Sequence, residues 1–192
     1  ISNNICDVFP PKTTKIYLHH NVYDDPWVSQ NKEKKMCQRL SNYNFIFLSS
    51  KMLIKMLDDM FRKYNLEKFP SLREIGYLRI DYLQRKYSEK LKIKKNSILI
   101  APTLFEGFPE FTILEYLNEI IFELLNNTSY NIILRPHPGN RDHIKVHELI
   151  RYFKNNTRFQ CDLSENYIDT YAKSQILITD ISGTAYTYAF LT

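Results

Sequence analysis

Two short segments hold the side chains best suited to gripping an anion. Asn131–Arg141 reads NIILRPHPGNR, and Gln175–Leu191 reads QILITDISGTAYTYAFL. In the first, Pro136 and Pro138 flank His137 and stiffen its backbone, so the fold aims the imidazole. A histidine titrates near neutrality and can donate to a phosphate or act as acid or base. Arg135 beside it can hold a phosphate through two parallel hydrogen bonds. In the second segment Thr179 and Asp180 end an apolar run, and Ser182, Gly183 and Thr184 stand where a new helix would begin. Ser182 can cap that helix, Gly183 lets backbone N–H groups approach a ligand, and Thr184 adds a hydroxyl. The free N–H groups and dipole of a helix start favour an anion. Neither segment has the lysine of a P-loop or the glycines of GxGxxG. Taken singly, each also reads as an ordinary helix cap or a surface turn. Taken together they point to a binder of, or an enzyme for, a phosphorylated, nucleotide-linked ligand.

The remaining histidines are weaker candidates. His19 and His20 end the apolar run KIYL, Lys15–Leu18, as His137 follows its own. Neighbours in a strand point to opposite faces, so only one of the two can reach a cleft and act as a general base. His143 and His147 are four residues apart, but the Glu of an HExxH zinc site and a third ligand are missing. Cys6, Cys37 and Cys161 fit neither a zinc spacing nor a disulfide framework, and a reducing compartment is expected.

These residues need a scaffold that brings strand ends together. FIFL at Phe45–Leu48, SILIA at Ser97–Ala101, Ile132–Leu134, Arg158–Cys161 and Ile176–Thr179 read as buried strands. A further short strand is expected over Glu74–Tyr77. Between them lie helical patterns. One follows Ser49 or Ser50 as cap and carries Leu53, Met56, Leu57, Met60, Phe61 and Tyr64 on one face. Others are expected over Glu110–Leu125, over His143–Lys154, from a cap at Asp162 or Ser164 through Lys173, and after Gly183. Strands alternating with helices predict an α/β fold with doubly wound parallel sheets, whose ligand sites lie at the strands' C-terminal ends.

Composition narrows the partners. The 192 residues are 44% apolar, ordinary for a globular chain, and suffice for one domain or two small lobes. Net charge is +5, which favours anionic partners. Tyr82–Asn96 carries six Lys/Arg and one Glu, and a lobe boundary is placed there. That stretch is either a solvated helix and linker or a contact with an anionic membrane surface or acceptor. The tyrosines and phenylalanines form no RNA-recognition signature, and no nucleic-acid partner is expected. No apolar run approaches a membrane span, no signal peptide is recognised, and the chain reads as an internal piece of a longer protein.

The order of motifs resembles the CDP-glycerol glycerophosphotransferase family, enzymes of teichoic acid and capsule polymer synthesis. His20-Asn21 is similar to the family's His-Gly motif, and Gly76-Tyr77-Leu78-Arg79-Ile80-Asp81 to its Gly-Tyr-Pro-Arg-Asn-Asp segment. Ile98–Thr103 resembles its strand ending in Ala-Pro-Thr. Arg135-Pro136-His137-Pro138 and Thr179-Asp180-Ile181-Ser182-Gly183 resemble its His-Pro and Thr-Asp-Tyr-Ser-Ser motifs. The resemblance implies a GT-B fold of two Rossmann-like lobes with parallel sheets, here as a fragment. Residues 1–81 would be the C-terminal part of the N-terminal lobe, 82–95 a basic linker, and 96–192 most of the donor-binding C-terminal lobe. It also implies transfer of a polyol phosphate from CDP-glycerol to a hydroxyl of a cell-surface polymer, releasing CMP. His20 would be the general base and His137 would stabilise the donor phosphates. Thr179, Asp180, Ser182, Gly183 and Thr184 would line the donor site, with Arg135 as a further candidate. No metal or cofactor is implied, and the enzyme would sit in the cytoplasm, peripheral on the inner membrane face. Asn21, Leu78, Ile80 and Gly183 depart from the family pattern, which leaves the donor open among glycerol, ribitol and a sugar nucleotide. A non-catalytic nucleotide- or anion-binding module is the alternative of another class.

Overall fold

The computed structural model describes residues 5–19, 30–66, 68–92, 95–106 and 109–192. His20, Asn21 and Trp27 lie outside them. The chain divides into two compact units, Ile1–Asp81 and Tyr82–Thr192, each built on one parallel sheet.

In the first unit β1 (Ile16–Leu18), β2 (Phe45–Leu48) and β3 (Ser71–Glu74) lie in the order β1-β2-β3. The register pairs Ile16 with Phe45 and Phe45 with Ser71. Helices α1 (Gln30–Leu40) and α2 (Lys51–Lys63) connect them. Ser50, not Ser49, caps α2, its hydroxyl accepting the Leu53 N–H at 3.3 Å. The helix buries Leu53, Leu57, Met60 and Phe61, the face expected from their spacing. It stops in a left-handed turn at Asn65 (φ 47°), where Asn65 N–H bonds Arg62 C=O and Leu66 N–H bonds Phe61 C=O. The third strand lies earlier than the expected Glu74–Tyr77. Gly76, at φ +74°, turns the chain out of the sheet, and Leu78–Tyr87 forms α3.

That helix carries the basic stretch, which is helical to Tyr87 and then makes a single 3-10 turn at Lys90–Lys92. Ile80 and Leu83 are buried, Lys86 donates to the Tyr82 hydroxyl at 2.9 Å, and Lys90 pairs with Asp169. No helix among the described residues is long and apolar enough to cross a membrane.

Among its described residues the second unit has four strands: β4 (Ser97–Ile100), β5 (Asn131–Leu134), β6 (Phe159–Cys161) and β7 (Ser174–Ile178). Their order is β6-β5-β4-β7, all parallel. Every residue of β4 is buried, which is why it reads as an unbroken apolar run. Ile98, Ile100, Ile132 and Leu134 pack against α4 (Leu117–Asn127) and α5 (Ile144–Phe153) through Ile121, Leu125, Val146, Leu149 and Phe153. Leu99 and Ile133 alternate with them and are buried on the other face. Helix α6 (Ile168–Lys173) packs on β4 and β7. Tyr188 of α7 (Thr184–Leu191) reaches Tyr171 of α6 and donates its hydroxyl to Ser174 C=O at 2.7 Å. The chain therefore runs outward from β4 to β6, then crosses back to place β7 on β4's other side. This reversal beside β4 is a topological switch point, where open α/β sheets part to receive ligands.

Two expected helix starts move. Residues 110–113 stay outside the helix, which begins with a 3-10 turn at Leu114–Tyr116. Helix α6 starts at Ile168 and is capped neither by Asp162 nor by Ser164; the Asn166 carboxamide oxygen accepts the Ile168 N–H instead.

Candidate functional site

The C-terminal ends of β5, β4 and β7 lie side by side, and most sequence candidates of the second unit fall on them. β5 delivers Arg135 and His137, β4 delivers Ala101–Thr103, and β7 delivers Thr179 and Asp180, then Ser182, Gly183 and Thr184 at the start of α7.

His137 opens a 3-10 turn over Pro138–Asn140. Its Nδ1 accepts the Gly139 N–H at 3.1 Å. A nitrogen that accepts carries no proton, so the neutral ring holds its proton on Nε2 and presents it as a donor. Partial withdrawal from water pushes the imidazole below its ordinary pKa, so the neutral form prevails at pH 7. The side chain remains exposed at the strand end. A Cβ on Gly139 beside it would lie 2.9 Å from Leu104 Cδ1, the end of a flexible side chain, and 3.4 Å from His137 Nδ1.

Arg135 does not play the expected part of a phosphate grip. Its Nη1 donates to Asp162 Oδ2 at 2.5 Å, and its Nη2 donates to Ser164 C=O at 2.8 Å. The side chain is 12% exposed and its partner carboxylate 9%. Asp162 also accepts from the Thr170 hydroxyl and, at 2.9 Å, from Ser164 N–H. Burial alone would raise the Asp162 carboxyl, but the bonds from Ser164 and Thr170 and the Arg135 charge hold it below the usual range. Arg135 thus fixes the loop after β6 to the end of β5.

The β7 end is tied to β4 in the same manner. The Thr179 hydroxyl donates to Ala101 C=O at 2.6 Å. Asp180 Oδ1 accepts Thr103 N–H at 2.8 Å and its Oδ2 accepts Ile113 N–H at 3.2 Å. Helix α7 begins one residue later than a Ser182 cap would require, with Gly183 at the N-cap and no side-chain cap. The Ser182 hydroxyl still accepts Thr184 N–H at 3.2 Å. A Cβ on Gly183 would meet nothing within 4 Å, so the space over this residue is open. The structure therefore divides the candidates. Arg135, Thr179 and Asp180 bind the protein itself, Ser182 and Thr184 are half-buried and bonded to each other, and His137 and Gly183 are exposed on either side of β4. The strand ends from which the two groups leave, those of β5 and β7, lie two strand spacings apart, about 10 Å.

Asn140 was not singled out by the sequence. It is 2% exposed, and its side chain donates to Thr103 C=O at 3.0 Å and accepts Phe105 N–H at 3.4 Å. Its place two residues after Pro138, in the turn that carries His137, is the only signal the sequence gave.

In the first unit, His19 closes β1, its N–H bonded to Phe47 C=O at 3.0 Å and its ring 6.4 Å from that of Tyr17. His143 is the N-cap of α5, its Nδ1 accepting Lys145 N–H at 3.2 Å, a capping role in place of a metal-ligand one.

Over residues 16–192 the chain matches the family described as CDP-Glycerol:Poly(glycerophosphate) glycerophosphotransferase. It belongs to that family. Among solved structures, this glycerophosphotransferase-family chain is similar to the wall teichoic acid polymerase TagF. Identity is 20%, the TM-score is 0.56, and the likeness covers 95% of this chain and 48% of TagF. It is also similar to the UDP-GlcNAc 2-epimerase from Methanocaldococcus jannaschii, at 14% identity and a TM-score of 0.58, over 92% of this chain and 52% of the epimerase. At such identities the likeness speaks for the fold alone, which is α/β and GT-B-like with parallel Rossmann-like sheets. The chain spans about half the length of either structure. No match is found among curated proteins.

Proposed function

We propose that this chain carries the donor-binding half of a polyol-phosphate transferase, which moves glycerol phosphate from CDP-glycerol to a hydroxyl of a cell-surface polymer and releases CMP. The observation that carries the reading is the pair of outward-facing groups beside the β4/β7 switch point. His137 offers Nε2–H on one side, and Gly183 offers an open helix start on the other. A single phosphate does not bridge groups that leave strand ends about 10 Å apart, whereas a diphosphate with its substituents can.

In this reaction the acceptor oxygen attacks the β-phosphorus of the donor. The new O–P bond forms as the P–O bond to CMP breaks, and negative charge moves to the leaving phosphate. His137 donates to a donor oxygen from Nε2, and Gly183 N–H with the Ser182 and Thr184 hydroxyls holds the other side. Arg135, Thr179 and Asp180 support these groups from behind. His20, the base in the family resemblance, takes the acceptor proton. A location at the inner membrane face agrees with the basic α3 and the nature of the polymer.

The test uses the full-length protein, labelled CDP-glycerol and a glycerol-phosphate acceptor. CMP release is expected, together with a loss of about 100-fold or more in kcat for His137→Ala. CDP-ribitol and a panel of nucleotide sugars are run beside it. Turnover of a nucleotide sugar with none of any CDP-polyol would overturn the proposal.

A further inference from the structure

Thr103 is held at both of its backbone polar groups by side chains from opposite sides of the site. Asp180, after β7, accepts its N–H at 2.8 Å. Asn140, in the turn after β5, donates to its C=O at 3.0 Å. Thr103 itself is 8% exposed, so water competes weakly for these bonds. Each clamp also holds its own segment. Asn140 N–H bonds His137 C=O at 2.8 Å, and Ser182 N–H bonds Asp180 C=O at 2.8 Å. Asn140 further accepts Phe105 N–H, and Asp180 further accepts Ile113 N–H. A continuous path of hydrogen bonds therefore runs from the His137 turn through Asn140, Thr103 and Asp180 to the Ser182–Gly183 turn.

We propose that Asn140 and Asp180 are positioning residues that, by gripping Thr103 from both ends, set the spacing between His137 and the start of α7. The two anion-binding groups then form one rigid gauge across β4. Asp180 acts through Thr103, since both its carboxylate oxygens already accept backbone N–H groups. The site takes a ligand whose two anionic groups match this fixed separation. The kinetic part of this inference rests on the transferase reading above; the mechanical part does not.

Two measurements on the full-length protein test it, using Asn140→Asp and Asp180→Asn. The first variant keeps the acceptor for Phe105 N–H and loses the donor to Thr103. The second keeps the shape and removes the charge. Amide hydrogen exchange without any ligand reads the gauge directly. Asn140→Asp is expected to speed exchange at Ser182 and Thr184 by about tenfold or more, and Asp180→Asn to do the same at Gly139. Faster exchange confined to each variant's own segment would overturn the proposal. CMP release reads the consequence: kcat is expected to fall about 10- to 100-fold with donor KM changed less than about threefold, since misplacement by about 1 Å costs this much in rate. An unchanged kcat with only a lower Tm would overturn it as well. If wild-type protein turns over no CDP-polyol, the transferase reading fails while the exchange result still decides the gauge. If Asn140→Asp does not fold, Asp180→Asn decides it from the other side.

Discussion

Asp162 and Arg135 form the most consequential ion pair near the site, because neither has water to fall back on. Removing the carboxylate in Asp162→Ala leaves a guanidinium nearly buried and unpaired, at a cost of about 3 kcal/mol. A urea or thermal unfolding curve of the variant checks this. The pH dependence has a defined sign. The folded carboxyl lies below its unfolded value, so its stabilisation is complete above about pH 4 and is lost as pH falls through the folded pKa. Asp162→Asn should flatten that acid limb. The cysteines behave oppositely. Burial pushes the Cys37 thiol up to about 11 and the Cys161 thiol up to about 12. Both should resist alkylation at pH 8 in the native protein and react on unfolding; prompt native labelling of either would contradict this. Much of this residue chemistry is hidden in the sequence. His137 is legible because it stands between prolines after an apolar run. Asn140 and Asp162 are not, because their partners, Thr103 and Arg135, are 37 and 27 residues away.

The elements differ in how plainly they declare themselves. β2 was readable to the residue as a short apolar run, and β4 and β5 nearly so, because buried parallel strands must be apolar on both faces; β7 starts two residues before the expected Ile176, at Ser174 and the exposed Gln175. Helix α1 was missed because QNKEKKMCQRL offers only Met36, Cys37 and Leu40 to the core. The same local logic separates two glycines at the site. Gly139→Ala forces a Cβ onto Leu104, a flexible side chain, and should cost about 1 kcal/mol while disturbing His137. Gly183→Ala meets open space at a helical φ of −58° and should leave Tm within a few degrees. Its effect should fall on donor affinity, because the new methyl stands where the ligand approaches. Calorimetric Tm beside donor titration separates the two, and an intact donor affinity in Gly183→Ala would move the ligand elsewhere.

For the whole molecule, the alternation of strands and helices disclosed a parallel α/β fold, and the order of short motifs disclosed the family. The reversal beside β4 is a property of chain crossings, which local periodicity does not encode. It matters because it decides which motifs share an edge. His137 and Gly183, 46 positions apart by number, become neighbours across one strand only through the order β5-β4-β7. The central claim is that these two flank one donor diphosphate. The most direct measurement is CMP release from CDP-glycerol by full-length wild-type, His137→Ala and Gly183→Ala proteins, all shown folded by their Tm. Release by wild type and its loss by about 100-fold in His137→Ala, with weakened donor binding in Gly183→Ala, is the predicted result. Undiminished release by both variants would contradict it.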